Sequence, residues 1–226
     1  MAAGDITDAL VDELQIRMEN PEADKFTDAM CLDALNHAQK KTAIMMHNDY
    51  LGELQVITTA GSASSSTKAF PSGAGNLPLN GAEGILEVYS VTNSKFMKKT
   101  RVEDQKRFEN TLLAGGSTNL IYYLWDQQIY ITTGLATESM QEYFLKTPVE
   151  MTTSVDPVLG TRLYEIMLRF AEGNLWTTDK KLGRRVSAYK DALEQIKRMN
   201  KKAFDAEPEG IGTKESRRQE DNTIRR

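Results

Sequence analysis

Along this chain the apolar residues recur every three to four positions, then every two, then every three to four again. That double change of period limits the possible folds more than any other feature. From Asp5 to Met18, Ile6, Leu10, Leu14 and Met18 return at every fourth position with Val11 beside them, which predicts a short amphipathic helix. Asp5 or Thr7 can cap its first turn. Asn20-Pro21 ends it, because a residue before proline is pushed out of the helical region. A longer helix is expected from about Thr27, its cap, to Asn48, with Met30, Ala34, Leu35, Ala38, Thr42, Met45 and Met46 on one face. The small Ala34 and Ala38 leave room for a neighbouring element to approach closely.

In the centre, Leu54 to Thr59 and Ile85 to Val91 alternate and are rich in β-branched residues, as half-buried strands are. Leu120 to Trp125 and Gln128 to Thr132 flank an Asp126-Gln127 corner and read as a hairpin, with Gln141 to Lys146 a further strand closed by Thr147-Pro148. Residues 60–84 carry Gly, Ser and Pro without a period and read as one long loop ending in Asn76-Leu-Pro-Leu79. Arg101 to Leu113 can form a short helix stopped by Gly115-Gly116, and is otherwise irregular.

The last third returns to helical period. Asp156-Pro157 predicts a helix start, since Asp caps and proline at the first position loses no hydrogen bond. Leu159, Leu163, Ile166, Met167 and Phe170 supply its apolar face, running to about Trp176. A second helix is expected from Thr178 or Asp179 to about Ala203, with Leu182, Val186, Tyr189, Leu193, Ile196 and Met199 as its stripe. The short link between the two makes an antiparallel hairpin. Residues 204–226 lose apolar content and read as an extended polar C-terminal arm that cannot fold alone. The class is therefore α+β: an N-terminal helix pair, a central antiparallel β-sheet with hairpins and a long loop, and a C-terminal helix hairpin. Residues 1–203 form one domain, with the helices packed to one side of the sheet.

Composition narrows the function. With 28 Lys+Arg against 32 Asp+Glu the net charge is −4, which argues against a protein that coats duplex DNA by bulk charge. No apolar run is long enough to cross a bilayer, and the opening MAAGDITDAL lacks the basic and apolar regions of a signal peptide, so an intracellular chain is expected. The single cysteine, Cys31, reads as a small buried or half-buried hydrophobe and excludes an internal disulfide. His37 and His47 fall on one expected helix, cannot chelate a metal without a third ligand, and read as solvated. The glycines at Gly73, Gly75, Gly81 and Gly84 lack the Lys-Ser/Thr step of a phosphate loop. Glu138, Glu142 and Glu150 lie near the aromatic strands and read as a solvated sheet face, since nothing pairs them at the separation glycoside chemistry needs. No catalytic residue, metal or cofactor is expected.

The basic runs are more informative. Lys180-Lys181 and Arg184-Arg185 stand at the start of the last helix, where positive charge opposes the helix dipole. They form a candidate patch for phosphate or an acidic partner. Lys197, Arg198, Lys201 and Lys202 sit where the dipole favours them, and Lys95, Lys98, Lys99 and Arg101 make a third cluster.

Several short motifs follow one another along the chain. They are Leu35-Asn-His-Ala-Gln39, Leu77-Pro78 ahead of Val88-Tyr-Ser-Val91, Tyr122-Tyr-Leu-Trp125 with Gln128-Ile-Tyr-Ile131, and Tyr143-Phe-Leu-Lys146 before Pro148. Asp156-Pro157 and Leu168-Arg-Phe-Ala171, leading to Tyr189, complete the series. Taken in order over about residues 5–203, the series resembles the head-to-tail adaptor (connector) proteins of tailed bacteriophages. The Gly/Ser-rich insertion at 60–76 and the polar arm depart from that pattern. The resemblance implies a virion protein assembled in the host cytoplasm, forming a homo-oligomeric ring, usually a dodecamer, below the portal. Such a ring extends the DNA channel without sequence specificity and links the capsid vertex to the next neck or tail protein. On this reading Arg217, Arg218, Ile224, Arg225 and Arg226 of the arm bind the portal protein, the arginines through bidentate contacts to carboxylates. The 60–84 loop meets a neighbouring copy or the next ring. Lys180, Lys181, Arg184 and Arg185 face the channel or a partner. Two rival readings are a small carboxylate-dependent hydrolase, and a stand-alone DNA-binding protein using the Lys180–Arg185 patch with a steep salt dependence.

Overall fold

The computed structural model describes residues 4–20, 24–58, 61–62, 67–71, 85–104, 120–125, 128–131 and 139–206. Within them the chain forms helices α1 (Asp5–Arg17), α2 (Asp28–Met45), α3 (Tyr164–Thr178) and α4 (Leu182–Ala206). The strands are β1 (Gln55–Ile57), β2 (Gly61–Ser62), β3 (Thr67–Ala69), β4 (Ile85–Ser90), β5 (Lys95–Phe96), β6 (Lys98–Lys99), β7 (Ile121–Trp125), β8 (Gln128–Ile131) and β9 (Ser139–Leu145). This is the α+β class that the change of period requires. No helix among the described residues is long and apolar enough to cross a membrane.

The strands make two sheets rather than one. The first has the order β1-β9-β4-β5, with β2 also on β9, and the second β3-β8-β7-β6, in which β6 runs parallel to β7 and the other pairs are antiparallel. Strands β2 and β3 fall within residues 60–84, so that segment is not wholly a loop. Each completes the edge of a sheet by taking up backbone groups of β9 or β8. The β7–β8 hairpin holds the expected register, with Tyr123 opposite Tyr130 and their rings stacked at 4.9 Å. The two sheets share a core of Ile85, Val88, Tyr122, Leu124, Ile129, Met140 and Phe144. The helices enclose a separate core around Leu14, Leu35, Met46, Phe170 and Trp176. Alternation along β9 joins the two: Phe144 enters the sheet core, and the next residue, Leu145, points to the opposite face and into the helical core.

Helix α2 is capped by Thr27, whose Oγ1 accepts from the Met30 N–H at 3.4 Å. Its motif residues divide the work. Leu35 and Ala38 are wholly buried against α3, and Asn36 exchanges hydrogen bonds with Met151 N–H and C=O at 2.7 and 3.1 Å. Gln39 likewise donates to Val149 C=O and accepts from Val158 N–H at 2.9 and 3.0 Å. Asn36 and Gln39 therefore fasten the segment after β9 onto α2. At the far end Asn200 of α4 donates to the Met45 carbonyl at 2.9 Å, satisfying one of the orphan acceptors there. The helix stops before His47, which is half-buried with its ring edge against Phe204 at 4.8 Å, and so is not a solvated helix histidine; His37 is exposed on α2. Cys31 is buried as expected, and burial pushes its thiol up to about 11.

Asp156-Pro157 does not start a helix. Helix α3 begins only at Tyr164, after a single 3-10 turn over Thr161–Leu163. Asp156 instead caps α1, across the chain: its Oδ1 accepts from Ile6 and Thr7 N–H at 3.0 and 3.2 Å, and Thr7 Oγ1 donates to Val155 C=O at 2.9 Å. Neither Asp5 nor Thr7 acts as the cap. Gly4 fills the N-cap position at φ 97°, and a Cβ there would stand 2.1 Å from the Thr153 carbonyl oxygen, so only glycine allows this approach. Asp156→Ala is expected to cost about 1–2 kcal/mol, as loss of an N-cap does, with Asp156→Asn retaining most of the stability. Urea denaturation of the three proteins measures both.

Helix α4 buries only part of its expected stripe, with Tyr189, Ile196 and Met199 on the helical core. Ala188, Ala192, Ile196 and Ala203 are buried, whereas Leu182, Val186 and Leu193 are 62%, 64% and 36% exposed. Gly173 of α3 lies under Tyr189, where a Cβ would come within 3.1 Å of the ring, so glycine there makes room for the one aromatic of the stripe. The link runs over 179–181, with Lys180 left-handed at φ 57°, and α4 continues to Ala206, three residues into the expected arm. Arg217, Arg218, Ile224, Arg225 and Arg226, like Asn76-Leu-Pro-Leu79 and residues 105–119, lie outside the described residues.

Candidate functional site

The turn between α3 and α4 gathers the first of the basic runs that the sequence singles out, Lys180, Lys181, Arg184 and Arg185. Trp176, near the end of α3, is 2% exposed, with its indole N–H donating to Glu172 at 3.3 Å and the edge of Phe26 at 6.5 Å. Over its face lie Lys181, with Nζ 4.9 Å from the ring centroid, and Arg184, with Cζ at 4.8 Å. Such cation–π contacts explain how positive side chains tolerate the first turn of a helix, where the dipole disfavours them. Asp179 adds a counter-charge, pairing with Lys25 and with Lys181 at 3.3 Å, and Arg184 reaches Glu19 at the end of α1 at 3.4 Å. The hydrogen bond from Lys25 holds the Asp179 carboxyl below its ordinary range.

One turn further on, Arg185 lies 5.6 Å from the Tyr189 ring. Lys41 of α2 comes from the other side, 4.1 Å from Tyr189 and 4.6 Å from Phe170. Burial, reinforced by Arg185, lowers the Lys41 ammonium from its ordinary value. The four basic residues expected as a patch are thus together in space. Three of them are held by aromatic rings and carboxylates of their own chain, and Lys180 is exposed in the turn. Beside the patch, Leu182, Val186 and Leu193 form an outward apolar stripe along α4 and line a shallow groove of about 630 Å³. The basic cluster at 95–101 lies on strands β5 and β6 and just beyond them.

No protein-family model and no curated protein matches this sequence.

The acids named from the sequence are not gathered among the described residues. Glu138 lies outside them, and Glu150 is an exposed partner of Lys40 at 2.7 Å. Glu142, expected on a solvated face, is wholly buried. Its Oε1 meets the Lys68 ammonium at 2.6 Å, as an ion pair rather than a directed hydrogen bond, and its Oε2 accepts from Thr58 Oγ1 at 2.6 Å. Met140, Glu142 and Phe144 share the inward face of β9 by alternation, which is the sequence signal that the acid is internal. Lys68 belongs to β3, so the pair binds one sheet to the other. Among the described residues no three His, Cys, Asp or Glu side chains are placed to hold a metal ion.

Carboxylates of the helical layer make stability depend on acid. Arg17 donates to both oxygens of Glu165 at 3.1 and 2.6 Å, holding that carboxyl below its ordinary value; Lys40 does the same for Glu150, and Lys25 for Asp179. A depressed folded pKa gives stability that is present above the unfolded value and lost as pH falls through the folded one. With unfolded values near 4, the melting temperature should be level from pH 7 to about 5 and fall below about 4. Calorimetry across that range tests this, and Glu165→Gln should reduce the fall.

Proposed function

We propose that this chain is a structural head-to-tail adaptor of a tailed bacteriophage. It assembles as a ring, usually a dodecamer in the proteins it resembles, beneath the portal, continues the DNA channel and carries the next neck or tail protein. The observation that carries the reading is the outward stripe of Leu182, Val186 and Leu193, a row of apolar side chains that the helical core leaves exposed on α4. Apolar rows of this kind serve association between chains. The ordered motifs from Leu35 to Tyr189 support the same reading, and Asn36 and Gln39 of the first motif have a definite structural task. The cations over Trp176 and Tyr189 are held in place by their own chain, which suits a fixed charged rim better than a stand-alone duplex grip. The arm, with Arg217, Arg218, Ile224, Arg225 and Arg226, is assigned to the portal contact.

Sedimentation velocity and negative-stain microscopy of the full chain, alone and with a phage portal, test the proposal. An annular assembly on the portal axis is the expected result. A chain that stays monomeric with and without the portal would overturn it, as would tight, steeply salt-dependent duplex binding by the monomer. Deleting 207–226 should abolish portal binding and leave the melting temperature of residues 1–206 unchanged. Undiminished portal binding would remove the arm from the contact.

A further inference from the structure

Two helices expose apolar side chains among charges of opposite sign. On α1, Asp8, Ala9, Asp12 and Ile16 are exposed, and 3.6 residues per turn put them on one face. Ile16 is 69% exposed, more than any other large apolar side chain described. On α4, the stripe of Leu182, Val186 and Leu193 is bordered by exposed Lys190 and Lys197. Glu194, on the same border and 3.8 Å from Arg198, is one carboxylate against Arg185, Lys190 and Lys197. One helix thus offers an acidic rim around an apolar centre, and the other a basic rim around an apolar groove.

We infer that the α4 groove of one copy receives the α1 face of the next copy. The occupant is a second copy because α1 carries both complements of the groove, the carboxylates for Lys190 and Lys197 and the apolar side chain for the stripe. The contact is heterologous: each copy gives α1 to one neighbour and α4 to the other, which is the arrangement that builds rings. The inference rests on the ring reading and names the surfaces that form it. Opposed charges at its rim set partner choice and register, and the apolar strip supplies the buried centre.

Charge reversal tests it in the full-length chain. One variant carries Asp8→Lys and Asp12→Lys, a second carries Lys190→Glu and Lys197→Glu, and a third carries all four. All four positions are exposed, so circular dichroism should match wild type, with the melting temperature lowered only slightly by Asp8→Lys, which sets a positive charge in the first turn of α1. Under conditions where the wild-type ring forms, portal present if required, each two-residue variant should weaken association by about 100-fold or more. Sedimentation velocity should then show monomer. The four-residue variant should regain the ring, and so should an equal mixture of the two single-helix variants. A ring that survives either reversal, or fails to return in the four-residue variant, overturns this interface while the ring reading stands. A wild-type chain that forms no ring under any condition overturns both, and a closed dimer in place of a ring overturns the head-to-tail arrangement.

Discussion

Trp176→Ala is expected to lower stability by about 4 kcal/mol, the range seen when a buried aromatic is truncated. Trp176 is 2% exposed and stands where α3, the turn and the residues ahead of α2 meet. Its removal takes the edge contact from Phe26, frees Glu172 of its indole partner, and leaves Lys181 and Arg184 without the ring they cover. The cations would then stand at a helix start with only Asp179 and Glu19 against them. For a chain of this size the melting temperature should fall by roughly 8–16 °C. Urea denaturation followed by circular dichroism should show a lower midpoint with an unchanged slope. Trp176→Phe should recover part of the loss, because it restores the apolar volume and a weaker cation–π face. A loss below about 1 kcal/mol would mean that the site collapses around the cavity and that the ring is not the platform described.

Glu142→Ala should cost about 3 kcal/mol, because it leaves the Lys68 ammonium facing the core with no counter-charge. The value sits at the lower end of that range since Lys68 is 23% exposed and can turn its charge toward water. Replacing both members, Glu142→Met with Lys68→Met, should cost far less than Glu142→Ala, since a buried pair exchanged for apolar side chains is often neutral. A double-mutant cycle on the folding free energy measures the coupling. Coupling near zero would show that the two sheets are joined by packing alone. A stable but loosened double variant, with broadened aromatic signals from Tyr122 and Phe144, would show that the pair selects one packing of the sheets.

These two sites also mark the limit of what the sequence discloses. The helices and the β7–β8 hairpin follow from period alone, because a stripe or an alternation of apolar residues has to face a core. Other features depend on what comes near in space. Asp156-Pro157 carries the chemistry of a helix start, yet the nearest unsatisfied N–H groups belong to α1, on the far side of the sequence. In α4 the expected stripe is divided, with Tyr189, Ile196 and Met199 packed on the helical core and Leu182, Val186 and Leu193 left outside, a split that the helical period alone does not disclose. Trp176 could be placed in the core from its stripe, but its use by Lys181 and Arg184 depends on the reversal of the chain at Lys180. The two-sheet arrangement is hidden because β2 and β3 are too short to show a period.

The cap on α1 also bears on synthesis. Asp156 and the Glu165 partner of Arg17 both lie about 150 residues downstream of the helix they hold. At ordinary translation rates of 5–20 residues per second, roughly 8–30 s separate the emergence of α1 from the arrival of its clasp. Nascent chains crowded on one message therefore carry an unlatched first helix, and its acidic outer face is fixed in position only when residues 156–165 have left the ribosome.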